Sequence, residues 1–273
     1  MSLSSLPDDV LARIMRCLPL KHRPICSLVN SRLRAAAIAA TDTVVLLPAG
    51  WEDSDALFDW SSLSSDQDRL VSTSREHAAP IQIWLSKYGQ NVRQLFILRL
   101  PQPIARLPHR HLRRLTLEKC SVQLRDLFGF GCLLDDCKHL TCLDLADCNI
   151  IGASQGAVLD LSSLVSLKML QIQPAKADGE EYLLGGLSAA TLPALTRLAT
   201  LRFDSLSTGN LQQLSGLTAL ANFQLNANSD AAVGPSSVPG LALPPSLTCL
   251  GTLSPVEAAI LASVPNLQDL WMR

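Results

Sequence analysis

Apolar residues recur along most of the chain in one pattern, LxxLxLxxC/N, in which x is any residue. Its clearest copies are Leu112–Cys120 and Leu140–Cys148. Complete or partial copies begin at Val92, Leu112, Leu140, Leu167, Leu198, Leu220, Leu247 and Leu267. Because side chains alternate between the two faces of a strand, each copy predicts a short strand with its leucines on one face. The Cys or Asn that ends a copy suits a turn in which a backbone group needs a small polar or thiol partner.

Repeated strands of this kind cannot each bury an apolar face alone, so they are expected to stack as neighbours. Successive copies begin between 20 residues (92 to 112) and 31 residues (167 to 198) apart. This pattern resembles the leucine-rich-repeat family, which implies an α/β solenoid with parallel strands on its concave face. The predicted helical or irregular returns on the convex face are 124–137, 179–187, 209–217 and 255–263. A Leu-rich helical bundle would instead need apolar spacings of three and four over longer windows.

The first forty or so residues lack the repeat and predict helices instead. One helical face carries Val10, Leu11, Ile14, Met15 and Leu18. Asp8 and Asp9 favour the positive end of this helix, and Pro19 ends it. A second apolar face runs from Ile25 to Ala37. Since so short a unit buries little surface by itself, we expect it to dock on a partner or on the repeats.

The N-terminal sequence reads LPDDVL at 6–11, LPLK at 18–21 and SLVNSRLR at 27–34. These residues resemble an F-box, with Leu33 where that family usually has Trp and His22 where Asp is common. The resemblance implies binding to a Skp-type adaptor, and through it to cullin and RING subunits. The adaptor contacts that it implies are Leu6, Pro7, Val10, Leu11, Ile14, Leu18, Leu28 and Val29. The alternative is an ordinary amphipathic helical cap on the repeats.

Residues 42–91 are less regular than the segments on either side. Thr43–Leu47 predicts a strand of an atypical first repeat, residues 52–68 predict an acidic loop, and residues 75–88 predict a helix. We therefore divide the chain into an F-box module at 1–41, a connector with the atypical first repeat at 42–91, and a leucine-rich-repeat solenoid at 92–273.

Composition narrows the class of protein. Hydrophobic residues make up 48% of the chain and charged residues 17%, which argues against disorder. The net charge of -1 argues against a basic nucleic-acid-binding protein. The longest charge-free stretches, 205–229 and 231–256, contain many polar residues and do not predict a membrane span. We expect no nucleic-acid or membrane partner, and a location in the cytoplasm, the nucleus or both.

No motif predicts catalysis, a metal or a cofactor. The eight cysteines lack CxxC pairs, and only His139 lies near the four between 132 and 148. The five histidines form no nucleophile–base pattern, and no Walker loop, HExxH or GxSxG element occurs. We therefore predict a non-catalytic protein.

The outward positions of each predicted strand are the third, fifth and seventh of the pattern. As target contacts they give Arg114, Thr116, Glu118, Asp144, Gln171, Gln173, Arg202, Asp204, Asn222, Gln224 and Asn226. These side chains favour capture of a polypeptide through hydrogen bonds more than through electrostatic steering. The family resemblances together imply the substrate-recognition subunit of an SCF-type ubiquitin ligase. A leucine-rich scaffold outside any ligase and, less favoured, a small-molecule sensor are the alternatives.

Overall fold

The structure of the protein is a computed structural model. It describes residues 6–17, 31–39, 43–47, 69–73, 92–98, 111–123, 134, 137–151, 158–174, 186–203, 206, 208–225, 241–252, 261–262 and 264–272. The helices are α1 (Asp8–Cys17), α2 (Ser31–Ala39), α3 (Thr191–Ala194) and α4 (Thr208–Gln213), and a 3₁₀ turn follows at Leu214–Gly216.

The strands are β1 (Thr43–Leu47), β2 (Arg69–Thr73), β3 (Gln94–Leu98), β4 (Arg114–Glu118), β5 (Ser121–Gln123), β6 (Cys142–Ile151), β7 (Val158–Leu159), β8 (Met169–Pro174), β9 (Gly186–Leu187), β10 (Thr200–Phe203), β11 (Asn222–Leu225), β12 (Cys249–Thr252) and β13 (Asp269–Met272).

Most of these strands form one parallel sheet in the order β2-β1-β3-β4-β6-β8-β10-β11-β12-β13. A strand is therefore present at each of the eight copies of the pattern, and the strand predicted at Thr43–Leu47 is present as well. The sequence did not predict β2, which pairs with β1 on the side away from β3. Two further parallel pairings lie off the main path, β5 with the end of β6 and β7 with β9. The mixed α/β class with a parallel sheet is confirmed.

The segments before five of the strands contain a repeated turn that the strand pattern alone did not predict. In the copy that leads to β8, the Leu164 amide donates to the Leu161 carbonyl, and the Leu167 amide donates to the Leu164 carbonyl. Equivalent pairs of turns precede β6, β10, β11 and β13. Bonds from residue i to residue i−3 give three residues per turn, so apolar residues spaced by three all face the core. The sequence signal is therefore a longer pattern, LxxLxxLxxLxL.

The leucines of the strands form two continuous buried rows. In-register pairing aligns Leu95, Leu115, Leu143, Leu170, Leu201, Phe223 and Leu250 in one row, and Ile97, Leu117, Leu145, Ile172, Phe203 and Leu225 in the other. All of these side chains are buried in one core cluster. Each contributes about 1.5–3 kcal/mol relative to an exposed side chain. Leu270 continues the first row on β13 but is 38% exposed.

The cysteines that end two of the copies bond to backbone carbonyls; Cys120 lies between β4 and β5, whereas Cys148 lies inside β6 and not in the predicted turn. The Cys120 thiol donates to the Ile97 carbonyl at 3.3 Å, and the Cys148 thiol donates to the Leu117 carbonyl at 3.2 Å. The residues just before these cysteines, Lys119 and Asp147, have φ values of 52° and 50°. This left-handed backbone turns the chain out of the strand direction and aims each thiol at the previous strand. Asn228, which ends a later copy, lies outside the described residues.

The structure describes only part of the predicted returns and connector. Residues 209–217 contain most of α4 and the 3₁₀ turn. Within the return predicted at 179–187, the last two residues form strand β9 instead. The predicted acidic loop at 52–68 and the predicted helix at 75–88 lie outside the described residues. Within the described part of the chain, no helix combines the length and the apolar character needed to cross a bilayer.

Candidate functional site

The two N-terminal helices form a small hydrophobic core of their own. Leu11 and Met15 of α1 lie one helical turn apart and pack with Leu33 and Ala36 of α2, and Leu6 contacts the edge of this cluster. Leu33 of α2 is thus buried between the two helices. Its packing stabilises the pair of helices.

Arg32 connects the start of α1 to the start of α2. Its guanidinium donates to the Leu6 carbonyl at 2.7 Å and to the Asp8 carboxylate through two nitrogens, at 2.5 and 3.1 Å. Because both charged side chains are exposed, this ion pair contributes less than about 1 kcal/mol. It orients the first turn of α1 against α2.

Beside its buried residues, α1 carries a more exposed apolar stripe, which we call the α1 stripe and which includes Pro7 just before the helix. Pro7 and Ile14 are exposed and Val10 is half-buried. Leu11, which was predicted as an adaptor contact with them, is only 1% exposed and faces the helical core. Half-buried Leu6 lies at the boundary between the two sides. The predicted contacts Leu18, Leu28 and Val29 lie outside the described residues.

A second candidate surface is the face of the sheet opposite the leucine rows, which we call the outer face. Strand pairing aligns its middle positions as Phe96, Thr116, Asp144, Gln171, Arg202, Gln224, Gly251 and Trp271. We call this line the central row. Five of its members were predicted from the fifth position of the pattern. Phe96, Gly251 and Trp271 were missed because they belong to the weaker copies, although the same position would have identified them.

The predicted target contacts differ widely in accessibility. Arg202 and Asn222 are exposed, whereas Thr116 and Gln171 are buried. The half-buried contacts are Arg114, Glu118, Asp144, Gln173 and Gln224. Asp204 and Asn226 lie outside the described residues. The middle of the outer face is thus closely packed, and its accessible polar groups lie on β10 and β11.

Hydrogen bonds connect the polar side chains of β8 and β10. Arg202 donates to the Gln171 side-chain oxygen at 3.5 Å, and the Gln171 side-chain nitrogen donates to Gln173 at 3.1 Å. On β4, the Arg114 guanidinium lies 5.1 Å from the centre of the Phe96 ring, a cation–π arrangement. The long side chains of the outer face therefore lie across neighbouring strands.

Asp144 is the most perturbed acid of this face. The pKa of its carboxyl is raised to about 6, chiefly by burial and in small part by Glu118, against the opposing effects of Arg114 and Arg202. Desolvation exceeds the attraction of two guanidinium groups because the carboxylate loses its water without gaining close donors. Asp144 is thus a poorly solvated anion on the outer face.

The thiols of the described residues have the properties of packing groups. Burial is the largest cause that raises the pKa of Cys142 to about 11 and that of Cys148 to about 12. Such thiols stay protonated near neutral pH and are poor nucleophiles and metal ligands. Among the described residues, no three His, Cys, Asp or Glu side chains come together as a metal site.

Comparison with known proteins identifies the N-terminal module. Residues 3–37 match the F-box domain, a range that contains α1 and most of α2. No curated protein matches the chain. F-box domains bind Skp-type adaptors and are typically found in non-catalytic substrate receptors. The chain therefore carries an F-box domain at its N-terminal end.

Proposed function

We propose that this protein is the substrate-recognition subunit of an SCF-type cullin–RING ubiquitin ligase. The observation that carries the proposal is the F-box domain at residues 3–37. The adaptor would connect the protein to cullin and RING subunits, and ubiquitin transfer would occur on those partners. The receptor then acts by proximity, because it raises the effective concentration of target lysines near the charged conjugating enzyme.

The α1 stripe supports the adaptor contact. Leu11 and Met15 lie in the core, whereas Ile14 and Pro7, just before α1, are exposed and Val10 is half-buried. The module itself therefore leaves this apolar stripe partly uncovered. Exposed apolar side chains aligned along one helix suit docking into an apolar groove of a partner.

We further propose that residues 92–273 form a leucine-rich-repeat solenoid. The support is the order of the strands from β3 to β13, the two buried leucine rows, and the paired turns before the strands. The outer face would be the concave surface that captures the target. Its mixed and partly amide side chains suit a polypeptide ligand. We place the protein in the cytoplasm or nucleus, which is supported by the free thiols of Cys17, Cys142, Cys148 and Cys249.

Binding to the adaptor is tested by pull-down of the full chain with a purified Skp-type adaptor. Ile14→Asp places a charge in the α1 stripe and should abolish adaptor binding without changing the melting temperature. Val165→Asp is the control, since Val165 is also an exposed aliphatic residue and lies far along the chain, and it should bind normally. Normal binding by Ile14→Asp would contradict the α1 contact. Failure of the unmodified chain to bind would favour a scaffold outside any ligase.

Target capture is tested by affinity purification from cells in which the proteasome or cullin neddylation is blocked. Alanine at Arg202, Asp204, Gln224 and Asn226 should remove co-purifying targets and leave the adaptor bound. Unchanged targets would show that another surface captures them.

A further inference from the structure

Three polar atoms on β4 and β6 are buried without a hydrogen-bond partner among the residues that the structure describes. They are Nε of Arg114, Oγ1 of Thr116 and Oδ1 of Asp144. Thr116 is only 6% exposed. Buried polar groups almost always have a partner, and one that lacks it destabilises the folded protein. A cluster of three such atoms therefore requires an explanation.

These atoms belong to one place on the outer face. Thr116 pairs in register with Asp144, and Arg114 precedes Thr116 by two positions on the same strand. Neighbouring strands lie about 4.8 Å apart, and residues two apart on a strand are separated by about 7 Å on the same face. Arg114 also gives the largest electrostatic effect on the Asp144 carboxyl after burial. Thr116 and Asp144 are thus side-by-side neighbours on the outer face, and Arg114 lies on the same face with its guanidinium over Phe96.

The donor and acceptor properties of these three atoms indicate which single group could form hydrogen bonds with all of them. Nε of Arg114 only donates, the ionised Asp144 carboxylate only accepts, and the Thr116 hydroxyl does either. A single group that satisfies all three needs both an N–H or O–H donor and an acceptor close together. A carboxamide has two N–H donors on its nitrogen and a carbonyl acceptor beside it.

The charges around the cluster favour an uncharged occupant. Arg114, Arg202 and Glu118 all lie close enough to affect the Asp144 carboxyl. Lys119 contacts Glu118 at 3.5 Å. Because the two guanidinium groups and the two carboxylates nearly balance, neither an ammonium nor a carboxylate would gain a net attraction that offsets its loss of water. A neutral carboxamide loses less on leaving water and is therefore favoured.

Access depends on long side chains that can rotate. The guanidinium of Arg114 rests on the Phe96 ring, and Gln171 is held by side-chain bonds of 3.1 and 3.5 Å. Each of these contacts is weak enough for an arriving ligand to replace. The backbone around them is fixed by pairing of β4 with β3 and β6. Rotamer changes of these side chains would open the site to a ligand.

We infer that Arg114, Thr116 and Asp144 form a subsite that binds the carboxamide of an Asn or Gln side chain from the target polypeptide. The inference rests on the proposed function, in which the outer face captures the target. It adds the chemical class of one target residue and the position at which that residue binds. A protruding side chain is required because β4 and β6 lie inside the sheet, where an added strand cannot pair with their backbones.

The test uses the full chain as bait for random peptides displayed on phage. Enriched peptides should share one Asn or Gln, and replacing it with Asp or Glu should weaken binding about tenfold or more. The Thr116→Val substitution, which replaces the hydroxyl by a methyl group, should weaken the same peptides. After Thr116→Val, exchange of the peptide carboxamide should lose part of its effect, as a double-mutant cycle measures.

Thermal unfolding separates a subsite from a structural hydroxyl. Thr116→Val should raise the melting temperature by about 2–4 °C because an unpartnered hydroxyl leaves the interior. Thr141→Val is the matched control: the Thr141 hydroxyl donates to the Arg113 carbonyl at 2.9 Å, so its loss should lower the melting temperature and leave peptide binding unchanged. A lower melting temperature for Thr116→Val would overturn the inference.

Two further outcomes would also overturn it. Peptides that Arg202→Ala weakens, but that lack a shared Asn or Gln or ignore Thr116→Val, would exclude the carboxamide subsite and leave capture by the outer face intact. Absence of any enriched peptide would exclude the subsite as well. The adaptor pull-down decides the proposed ligase function independently of both results.

Discussion

The Asp144 carboxyl provides the most quantitative test of the outer face. Burial raises its pKa from 3.8 to about 6, and the difference between these values corresponds to about 3 kcal/mol. The folded protein binds the proton more tightly than the unfolded chain. Stability from this group is therefore complete below pH 3.8 and is lost as the pH rises through about 6. Asp144→Asn removes this dependence.

We expect urea unfolding at several pH values to reveal the effect. The free energy of unfolding of the unmodified protein should fall relative to Asp144→Asn by about 2–3 kcal/mol between pH 4 and pH 8. Most of the change should occur below pH 7, because above that pH the carboxyl of the folded protein is already nearly fully ionised. Subtracting the free energy of unfolding of Asp144→Asn from that of the unmodified protein at each pH removes the contribution of every group that titrates alike in both proteins.

Asp160→Asn supplies a control of opposite sign. Hydrogen bonds from Ser162, Ser188 and Thr191 lower the pKa of the Asp160 carboxyl, with the Ser162 backbone amide as the largest cause. Its stabilisation is present above the unfolded pKa and is lost as the pH falls. Asp160→Asn should therefore be less stable than the unmodified protein by a constant amount from pH 5 to pH 8. If the difference in free energy of unfolding between Asp144→Asn and the unmodified protein is also constant with pH, the raised pKa of Asp144 is refuted.

Further predictions concern the core, the contact between Asn210 and β9, and the thiols. Leu143→Ala should lower the free energy of unfolding by about 2–5 kcal/mol in urea, because Leu143 is fully buried; Leu270→Ala should cost much less, and equal costs would contradict the packing. Asn210→Ala removes two buried hydrogen bonds to the backbone of β9 and should cost at least about 2 kcal/mol in the same assay. In the folded protein at pH 8, iodoacetamide should modify exposed Cys17 before buried Cys148, as mass spectrometry would detect; the reverse order would contradict that burial.

The positions of the strands could be predicted from the sequence because alternation of side chains is a local property of an extended chain. Leu115 and Leu117 must share a face whenever their segment is a strand, so both inward rows followed from the pattern. The helix α1 followed in the same way from its apolar spacing and its two initial aspartates. Period-three turns were missed because short apolar runs do not distinguish turns from α-helical returns.

Only the tertiary structure decided which outward residues are accessible. Thr116 and Arg202 hold the same position in the pattern, yet one is buried and the other exposed. The difference depends on the side chains of the adjacent strands, which lie far away in sequence. In α1 likewise, packing against α2 placed Leu11 in the core and left Ile14 outside.

Spacing within a few residues thus sufficed to predict α1, the eight strands and their inward leucines, whereas the F-box was recognised from its resemblance to a known family. The order of β1 and β2, the exposure of Leu270 on β13, and the unpartnered atoms of Arg114, Thr116 and Asp144 were decided by the assembled sheet. These features arise where side chains from separate strands meet. Burial at such places removes water from polar groups, and a local sequence pattern does not specify which partners those groups will have.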